Sequence, residues 1–490
     1  MSVSYISVVD HTIMLNFIEN ILCHFESCFS RKAAFRWFVT ITIGFMLRSD
    51  KLGLTSVIRD PALSPCCYDS MLHFFRASSW SLADMRKRWF AAVRQYAPLY
   101  KEGSFHVLVG DGVKQAKEGR RMPGVKKLFQ ESENSAKPEY IHGHMFGGLG
   151  ILAGSIRNWA CIPLSIRLHD GLQAAREWKG AYVSSASHVV QMVEDAYHAA
   201  LVFGDSLLLL DRYFLTVPAL EKLKSLNSRG DVHMEIITKA KKSCTAFEKP
   251  SPRKPGRGRP PKKGAAVHLM ELFISCKEQF QETEMELYGK RESIRYYCID
   301  LLWGQKLYQE LRFVLVEMNG IRSILASTSL ALDPLSVIRL YSYRFRIECT
   351  FRELKQQIGA FCYHFWSKYM PKLSYYQKKG EPTPLERVKD EKSQEKILEA
   401  VRAIEMHMVL SCIAMGILQS LSIRFIGKVS SGQIRYQRTP SKGRVSEATL
   451  MHYFRKHFFR LLAQKPELCI TRIIQGLQEE SEEHWDSLAS

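Results

Sequence analysis

At Phe105 the spacing of apolar residues changes, and the order of elements from there on leaves room for few folds. Up to about Leu99 they recur every three or four positions, as in "RKAAFRWFVTITIGFML" and "SLADMRKRWFAAVRQY", which predicts amphipathic helices. From "FHVLVGD" (Phe105 to Asp111) onward the runs are short and strand-like, and "YIHGHMFGGLGILAG" and "WACIPLSIRL" continue them as two more strands of an antiparallel meander. Then come a helix ("SSASHVVQMVEDAYHAALV"), a strand ("SLLLLD", ending at Asp211), a helix ("VPALEKLKSLN") and a strand ("VHMEIITKA"). In a mixed sheet of this order the first and fourth strands are neighbours, so their ends, at Asp111 and Asp211, face each other.

Three strands, helix, strand, helix, strand is the order of a ribonuclease-H-like core, an α/β fold that needs one more helix carrying a last acid. The next candidate helix is delayed to "YSYRFRIECTFRELK" (Tyr341 to Lys355). The delay, roughly Lys241 to Pro334, holds a Pro/Gly/Lys/Arg loop and the β-type runs "SIRYYCIDLLW", "LRFVLVEM" and "IRSILASTSL". The last two are joined by Asn319-Gly320, a strong hairpin signal. A β-rich insertion therefore interrupts the core. The expected division is a helical N-terminal domain at 1–100, the first part of the core at 101–240, the insertion at 241–335, the last part of the core at 336–430 and a helical C-terminal segment at 431–490. In the first of these, "LGLTSVIRDPALSPCCYDSMLHFFRASSW" fits a helix-turn-helix or an ordinary small bundle equally well.

Charge narrows the partner. Against 69 Lys and Arg stand 49 Asp and Glu, a formal net charge of +20, which favours a polyanion through counterion release. DNA comes first, and the N-terminal domain is expected to bind it. A membrane surface is the alternative, but the apolar runs Phe38 to Leu47 and Met408 to Leu418 are too short to span a bilayer and read as buried helices. The N-terminus has no basic region ahead of an apolar segment, so a cytoplasmic protein with no membrane partner is expected. The twelve Cys show no zinc-ribbon spacing; the nearest cluster, Cys23, His24 and Cys28, is a weak lead, and core thiols are the expectation.

If Tyr341 to Lys355 is one helix, Tyr341, Arg344, Glu348 and Lys355 share a stripe, beside a buried stripe of Leu340, Ile347, Phe351, Leu354 and Ile358. Asp111, Asp211 and Glu348 then meet as three carboxylates able to hold two Mg²⁺. Each acid also has a plain structural reading: Asp111 begins a turn before Gly112, Asp211 caps the next helix, Glu348 pairs with Arg352. Asp205 is the rival for the second acid, although it precedes the apolar run instead of ending it.

The spacing Tyr341-x2-Arg344-x3-Glu348-x6-Lys355 resembles the Tyr-Arg-Glu-Lys signature of DDE transposases from bacterial insertion sequences, the subgroup that includes Tn5-type enzymes. "VLVGDG" and "LLLLDRYF" are similar to that family's first and second acid segments, so the resemblance spans Phe105 to Lys355. It implies a ribonuclease-H-like fold with a β-rich insertion, and a metal-binding catalytic triad of Asp111, Asp211 and Glu348 using two Mg²⁺, with Mn²⁺ as a substitute. It also implies DNA phosphate contacts from Tyr341, Arg344 and Lys355, and cut-and-paste transposition acting on terminal inverted repeats and target DNA. A homodimer on DNA and a bacterial, nucleoid-associated location go with it. Such enzymes usually free the element through a DNA hairpin with a base flipped onto an aromatic ring, for which Trp303 is the candidate. The alternatives are a non-catalytic AT-hook protein derived from a transposase and a ribonuclease-H-like nuclease.

A second string, "RKPGRGRPPKKG" (Arg253 to Gly264), resembles an AT-hook. Arg257 and Arg259 would lie in a narrow A·T minor groove, with Lys262 and Lys263 on phosphates; the alternative is a basic linker. His142-Gly143-His144 reads as two ordinary strand histidines in preference to metal ligands. Lys114, Lys117, Arg120, Arg121, Lys126 and Lys127 form either a solvated loop or a track for the DNA backbone.

Overall fold

The computed structural model describes residues 3–51, 53–130, 138–155, 158–180, 183–251, 261–376, 381–425 and 445–489, with side chains between residues 12 and 480. Helices α1 (Val3–Cys23), α2 (Lys32–Leu47), α3 (Thr55–Arg59), α4 (Cys67–Arg76) and α5 (Leu82–Tyr96) come first. The strands β1 (Lys101–Glu102), β2 (Phe105–Ala116), β3 (Lys126–Phe129), β4 (Tyr140–Ala153) and β5 (Ala160–Leu168) follow. Then come α6 (His188–Phe203), β6 (Ser206–Leu209), α7 (Val217–Asn227) and β7 (Met234–Lys239). The insertion contains β8 (Thr245–Phe247), β9 (Ala266–His268), α8 (Leu272–Ser275), β10 (Gln281–Leu287), β11 (Lys290–Trp303), β12 (Gln309–Met318) and β13 (Ile321–Ser327). The chain ends with α9 (Pro334–Ser342), α10 (Arg346–Glu353), α11 (Glu391–Arg424), α12 (Glu447–Ala463) and α13 (Cys469–Ala489). An antiparallel set followed by two helix-linked parallel strands, with a β-rich insertion and helices at both ends, makes the fold ribonuclease-H-like.

Two compact units divide the chain, one of Met1–Leu99, Gly112–Ala186 and Cys349–Ser490, the other of Tyr100–Asp111 and Ser187–Glu348. In the second unit β2 pairs with β6 and β6 with β7, both parallel, which requires the crossovers through α6 and α7. Gly110 lets β2 run close under α6: a Cβ there would stand 2.7 Å from the Met192 sulfur and 2.8 Å from Leu210. β13 joins β7 antiparallel, and β12 and β11 extend the sheet by hairpins. Asn319 and Gly320 close the β12–β13 hairpin with φ of 50° and 75°, the left-handed pair that a two-residue turn demands. Alternate residues Leu311, Phe313 and Leu315 of β12 face one side and bury against Leu301, Ile324 and Leu220, each such side chain contributing about 1.5–3 kcal/mol.

In the first unit β4 pairs antiparallel with β3 and β5, and the Lys117 amide just past β2 donates to the His142 carbonyl at 2.9 Å. α11 packs on β5 among the N-terminal helices, and Trp89 of α5 donates its indole N–H to the Pro163 carbonyl at 2.9 Å. At 34 residues α11 is far longer than the apolar run Met408 to Leu418. It is the one helix among the described residues long and apolar enough to cross a membrane, and 94% of its apolar window is buried within the fold. All twelve cysteines are free thiols.

One expectation is corrected. Tyr341 to Lys355 is not a single helix: α9 ends at Ser342, α10 begins at Arg346, and a turn of π-helix spans Leu354–Ile358. Between them Tyr343, Arg344, Arg346, Ile347 and Glu348 all donate to the carbonyl three residues back, so the backbone tightens to the 3₁₀ pitch. Tyr343, Arg344 and Phe345 include two aromatic residues of poor helix propensity, which leaves this turn to tertiary contacts. Leu340, Ile347, Phe351, Leu354 and Ile358 are nevertheless each buried.

Candidate active site

The register of the parallel strands places the first two acids. His106 to Val109 of β2 pair with Ser206 to Leu209 of β6 one for one. Two residues beyond each strand's last pair come Asp111 and Asp211, which continuation of that register brings to the same level on neighbouring segments. The same count from Leu209 paired with Ile237 brings Lys239 opposite Asp211. Asp205 lies at the other end of β6, where its carboxylate accepts from the His233 amide at 2.8 Å. Asp111 does not end its strand as expected: β2 runs on to Ala116, so Asp111 is inside it and begins no turn. The Asp211 side chain caps no turn; the next helix, α7, is capped by Thr216, whose hydroxyl accepts from the Ala219 amide.

Arg344 gathers the acids. Its Nη1 donates to Asp111 Oδ2 at 3.1 Å and its Nη2 donates to Glu348 Oε1, so Glu348 pairs with Arg344, while Arg352 bonds to Glu353. The Arg344 side chain is 13% exposed. Burial works against its charge, and Asp111, Tyr341, Glu348 and Asp211 outweigh burial, holding it above the ordinary arginine range. Burial also pushes the Tyr341 phenol up; Arg344 opposes this and Asp211 and Asp111 reinforce it, so the hydroxyl stays a donor at neutral pH. Burial lowers Lys239, with Asp211 pulling the other way. Asp111, Asp211 and Glu348 outnumber the two cations beside them, Arg344 and Lys239, and as hard oxygen donors they are the ligand type that suits a divalent cation such as Mg²⁺ or Mn²⁺.

Two neighbours escape the sequence reading. Lys239 follows the residues of its strand that pair with β6 by the same two positions as the two aspartates and was there to be found. Tyr288 carried no signal: it forms with Gly289 the two-residue turn between β10 and β11, with φ of 53° and 79°. Its ring centroid stands 5.5 Å from that of Phe345, and the Arg344 charge acts on its phenol.

The other candidate residues lie elsewhere or outside the described residues. Lys355 belongs to the first unit, with its ammonium 5.5 Å from the Phe361 ring centroid. Trp303 packs against the insertion's own hydrophobic core and bonds to the Cys244 side chain. Lys262 and Lys263 are exposed, Lys263 sitting 3.8 Å from the Phe247 ring centroid. Arg257 and Arg259 lie outside the described residues. The basic run after Asp111 is largely structural. Lys117 donates to the Phe361 and Tyr363 carbonyls at 2.6 and 3.0 Å, Arg121 to those of Lys368 and Met370, Lys114 to that of Phe129, and Lys126 pairs with Asp170. Of the strand histidines, His144 is committed through both nitrogens. Nε2 meets the Pro123 carbonyl at 2.9 Å and so carries the proton, which leaves Nδ1 to accept from the Tyr363 hydroxyl.

A ribonuclease-H-like sheet with acids just past the paired residues of adjacent parallel strands, and a third on a later helix, defines a class: enzymes that break phosphodiester bonds with divalent metals. The chain belongs to the DDE superfamily endonucleases, whose family model matches residues 24–278, just over half of its length. The match takes in Asp111, Asp211 and Lys239 and ends before Glu348. Membership implies DNA as the substrate and dependence on a divalent metal. No curated protein and no solved structure matches the chain.

Proposed function

We propose that the protein is a cut-and-paste DNA transposase of the Tyr-Arg-Glu-Lys subgroup, similar to Tn5-type enzymes, working in the bacterial cytoplasm on nucleoid DNA. The observation that carries this reading is that Asp111 and Asp211 each follow the paired residues of adjacent parallel strands by two positions, and that Arg344 bonds to both Asp111 and Glu348. Asp111, Asp211 and Glu348 would hold two Mg²⁺, or Mn²⁺ in their place, supplying an activated water or 3′-hydroxyl and a stabilised leaving oxygen. The protonated Tyr341 hydroxyl and the Arg344 fork suit phosphate oxygens beside the cleaved bond, Arg344 bidentately. Lys239 adds a point charge opposite Asp211, and Lys355 a further phosphate contact. Tyr288, on its exposed hairpin tip, replaces Trp303 as the ring best placed to stack on a base near the acids. The string Arg253 to Gly264 serves as an accessory grip on A·T-rich DNA, the helical segment 1–100 reads the terminal repeats, and a homodimer brings two ends together.

The experiment is end cleavage and strand transfer on a DNA duplex carrying the inverted repeats that flank the gene. Asp111→Ala, Asp211→Ala and Glu348→Ala should each abolish cleavage while DNA binding stays within about threefold, and Asp205→Ala should still cleave. An Arg257→Ala/Arg259→Ala double variant should cleave again at higher protein concentration. Cleavage that survives in Glu348→Ala would sink the catalytic assignment. Cleaved ends that never join target DNA, with only one protein per end by mass, would instead make the protein a nuclease, the reading that family membership alone also allows.

A further inference from the structure

Within the first unit, Glu19 and Cys23 stand one turn apart on α1, at i and i+4, so their side chains leave the same face. Cys469 opens α13. A Glu19 carboxylate oxygen and the Cys23 and Cys469 sulfurs all lie within 4.8 Å of one another, each on a half-buried residue. Glu19 is fixed in place, since Oε1 accepts from the Cys469 amide at 2.6 Å and Oε2 from the Ile470 amide at 2.9 Å. A carboxylate offers about four lone-pair sites, so two amides leave it able to bind again. Bracing a carboxylate with fixed donors is also how metal ligands are oriented. A cleft of about 520 Å³ opens on Glu19 and Cys469, giving an ion a way in and room for a water.

We propose that Glu19, Cys23 and Cys469 form a binding site for one thiophilic divalent cation of the zinc type, with its fourth position facing the cleft. Two sulfurs select a soft or borderline ion, unlike the oxygen donors of Asp111, Asp211 and Glu348. Burial, and next the Glu19 charge, push both thiols up, so without a cation they stay protonated. A bound cation reverses that balance: each sulfur releases its proton to solvent as its bond to the ion forms, and two thiolates with one carboxylate offset the double positive charge. Bonds of about 2.3 Å to sulfur and about 2.1 Å to oxygen bring tetrahedral ligand atoms to roughly 3.5 Å apart, which needs side-chain adjustments of about 1 Å. The sequence cluster Cys23, His24, Cys28 thus contributes one ligand only. The Cys28 thiol donates to the Asp84 carbonyl, and the His24 ring packs edge-on against Tyr96. The true partner, Cys469, is 450 residues from Glu19. Such a site clamps the first helix of the chain to the last.

The test is Co²⁺ titration of the full reduced chain, read by thiolate-to-cobalt charge-transfer absorbance, which carboxylate-only sites do not give. One ion per chain is expected, displaced by Zn²⁺, with the band lost in Cys23→Ser and in Cys469→Ser. No such band, or a band that persists in both variants, overturns the site. Should either variant fail to fold, alkylation of the unaltered chain decides. Zn²⁺ should protect Cys23 and Cys469 in mass-mapped peptides, and equal labelling with and without Zn²⁺, or a Cys23–Cys469 disulfide formed instead, overturns it.

Discussion

Arg344 supplies, from within the chain, the positive charge that three crowded carboxylates require. It donates to Asp111 and Glu348, and Asp211 adds to its charge stabilisation, so a divalent cation arriving at these acids competes with a tethered one. Charged hydrogen bonds of this kind contribute about 1–2 kcal/mol after solvation is counted, a factor of roughly five to thirty in an equilibrium. Arg344→Ala should therefore tighten Mn²⁺ binding to the DNA-free protein by about that factor while depressing cleavage. Electron paramagnetic resonance of unbound Mn²⁺ measures it. Unchanged or weaker Mn²⁺ binding would mean that the arginine and the metal do not share these ligands. At this scale the sequence pointed to positions: Asp111 and Asp211 because apolar runs ended in them, and Glu348 because its neighbours had a fixed spacing, while their metal-binding role stays a proposal. The partner of Glu348 was not legible, since Arg344 and Arg352 are equally spaced from it along an ideal helix and only the position of Asp111 breaks the tie.

Among the elements, the β10–β11 hairpin combines a strained turn with a site-facing ring. A two-residue turn with both φ positive favours Asn-Gly, as at Asn319-Gly320, and a bulky residue in the left-handed region costs about 1 kcal/mol. Tyr288 bears that cost as a residue 53% exposed, with its ring beside Phe345 and its phenol under the charge of Arg344. Strain kept at such a place is a reason to look for substrate contact. Tyr288→Asn should leave thermal stability equal or raise it by up to about 1 kcal/mol, and should lower end processing. A variant that melts earlier yet processes ends at full rate would show that the tyrosine serves the fold. The contrast between the two hairpins explains what the sequence could disclose. Asn-Gly carries its turn chemistry in its own side chains, whereas Tyr-Gly adopts the same turn only because Leu287 and Lys290 are paired by the strands around it. The tightened turn between α9 and α10 escaped for the same reason: period alone cannot distinguish 3.0 from 3.6 residues per turn across three residues.

On the scale of the whole molecule, the charge of +20 overstates what is offered to DNA, because part of it is turned inward. Lys117, at the centre of the basic run, is buried against carbonyls with its ammonium 3.5 Å from the Tyr363 ring centroid, and burial lowers it to about 8. No pattern in the sequence distinguishes that lysine from an exposed one, since its partners are in a segment far along the chain. Around the same Tyr363 lie two histidines that burial, ahead of all else, lowers to about 3: His144, and His407 among the rings of Phe45, Phe75 and Phe365. Unfolded, each takes up its proton near pH 6.5. Between 6.5 and 3 the unfolded chain therefore binds more protons than the folded one, and stability falls as the pH falls, by up to about 1.4 kcal/mol per pH unit for each histidine. The buried Glu405, held low by Arg86 and Arg167 against burial, contributes stability that is lost only further down, as the pH falls through its depressed folded value. Its loss is separated from that of the histidines above pH 5. His407→Phe keeps the ring and its aromatic neighbours, so at pH 7 it should cost less than about 1.5 kcal/mol. Between pH 6.5 and 5 it should lose about 1.6 kcal/mol less than the unaltered protein, read from denaturant titrations at each pH. Parallel curves for the two proteins across that interval would mean that His407 does not enter the folded core neutral.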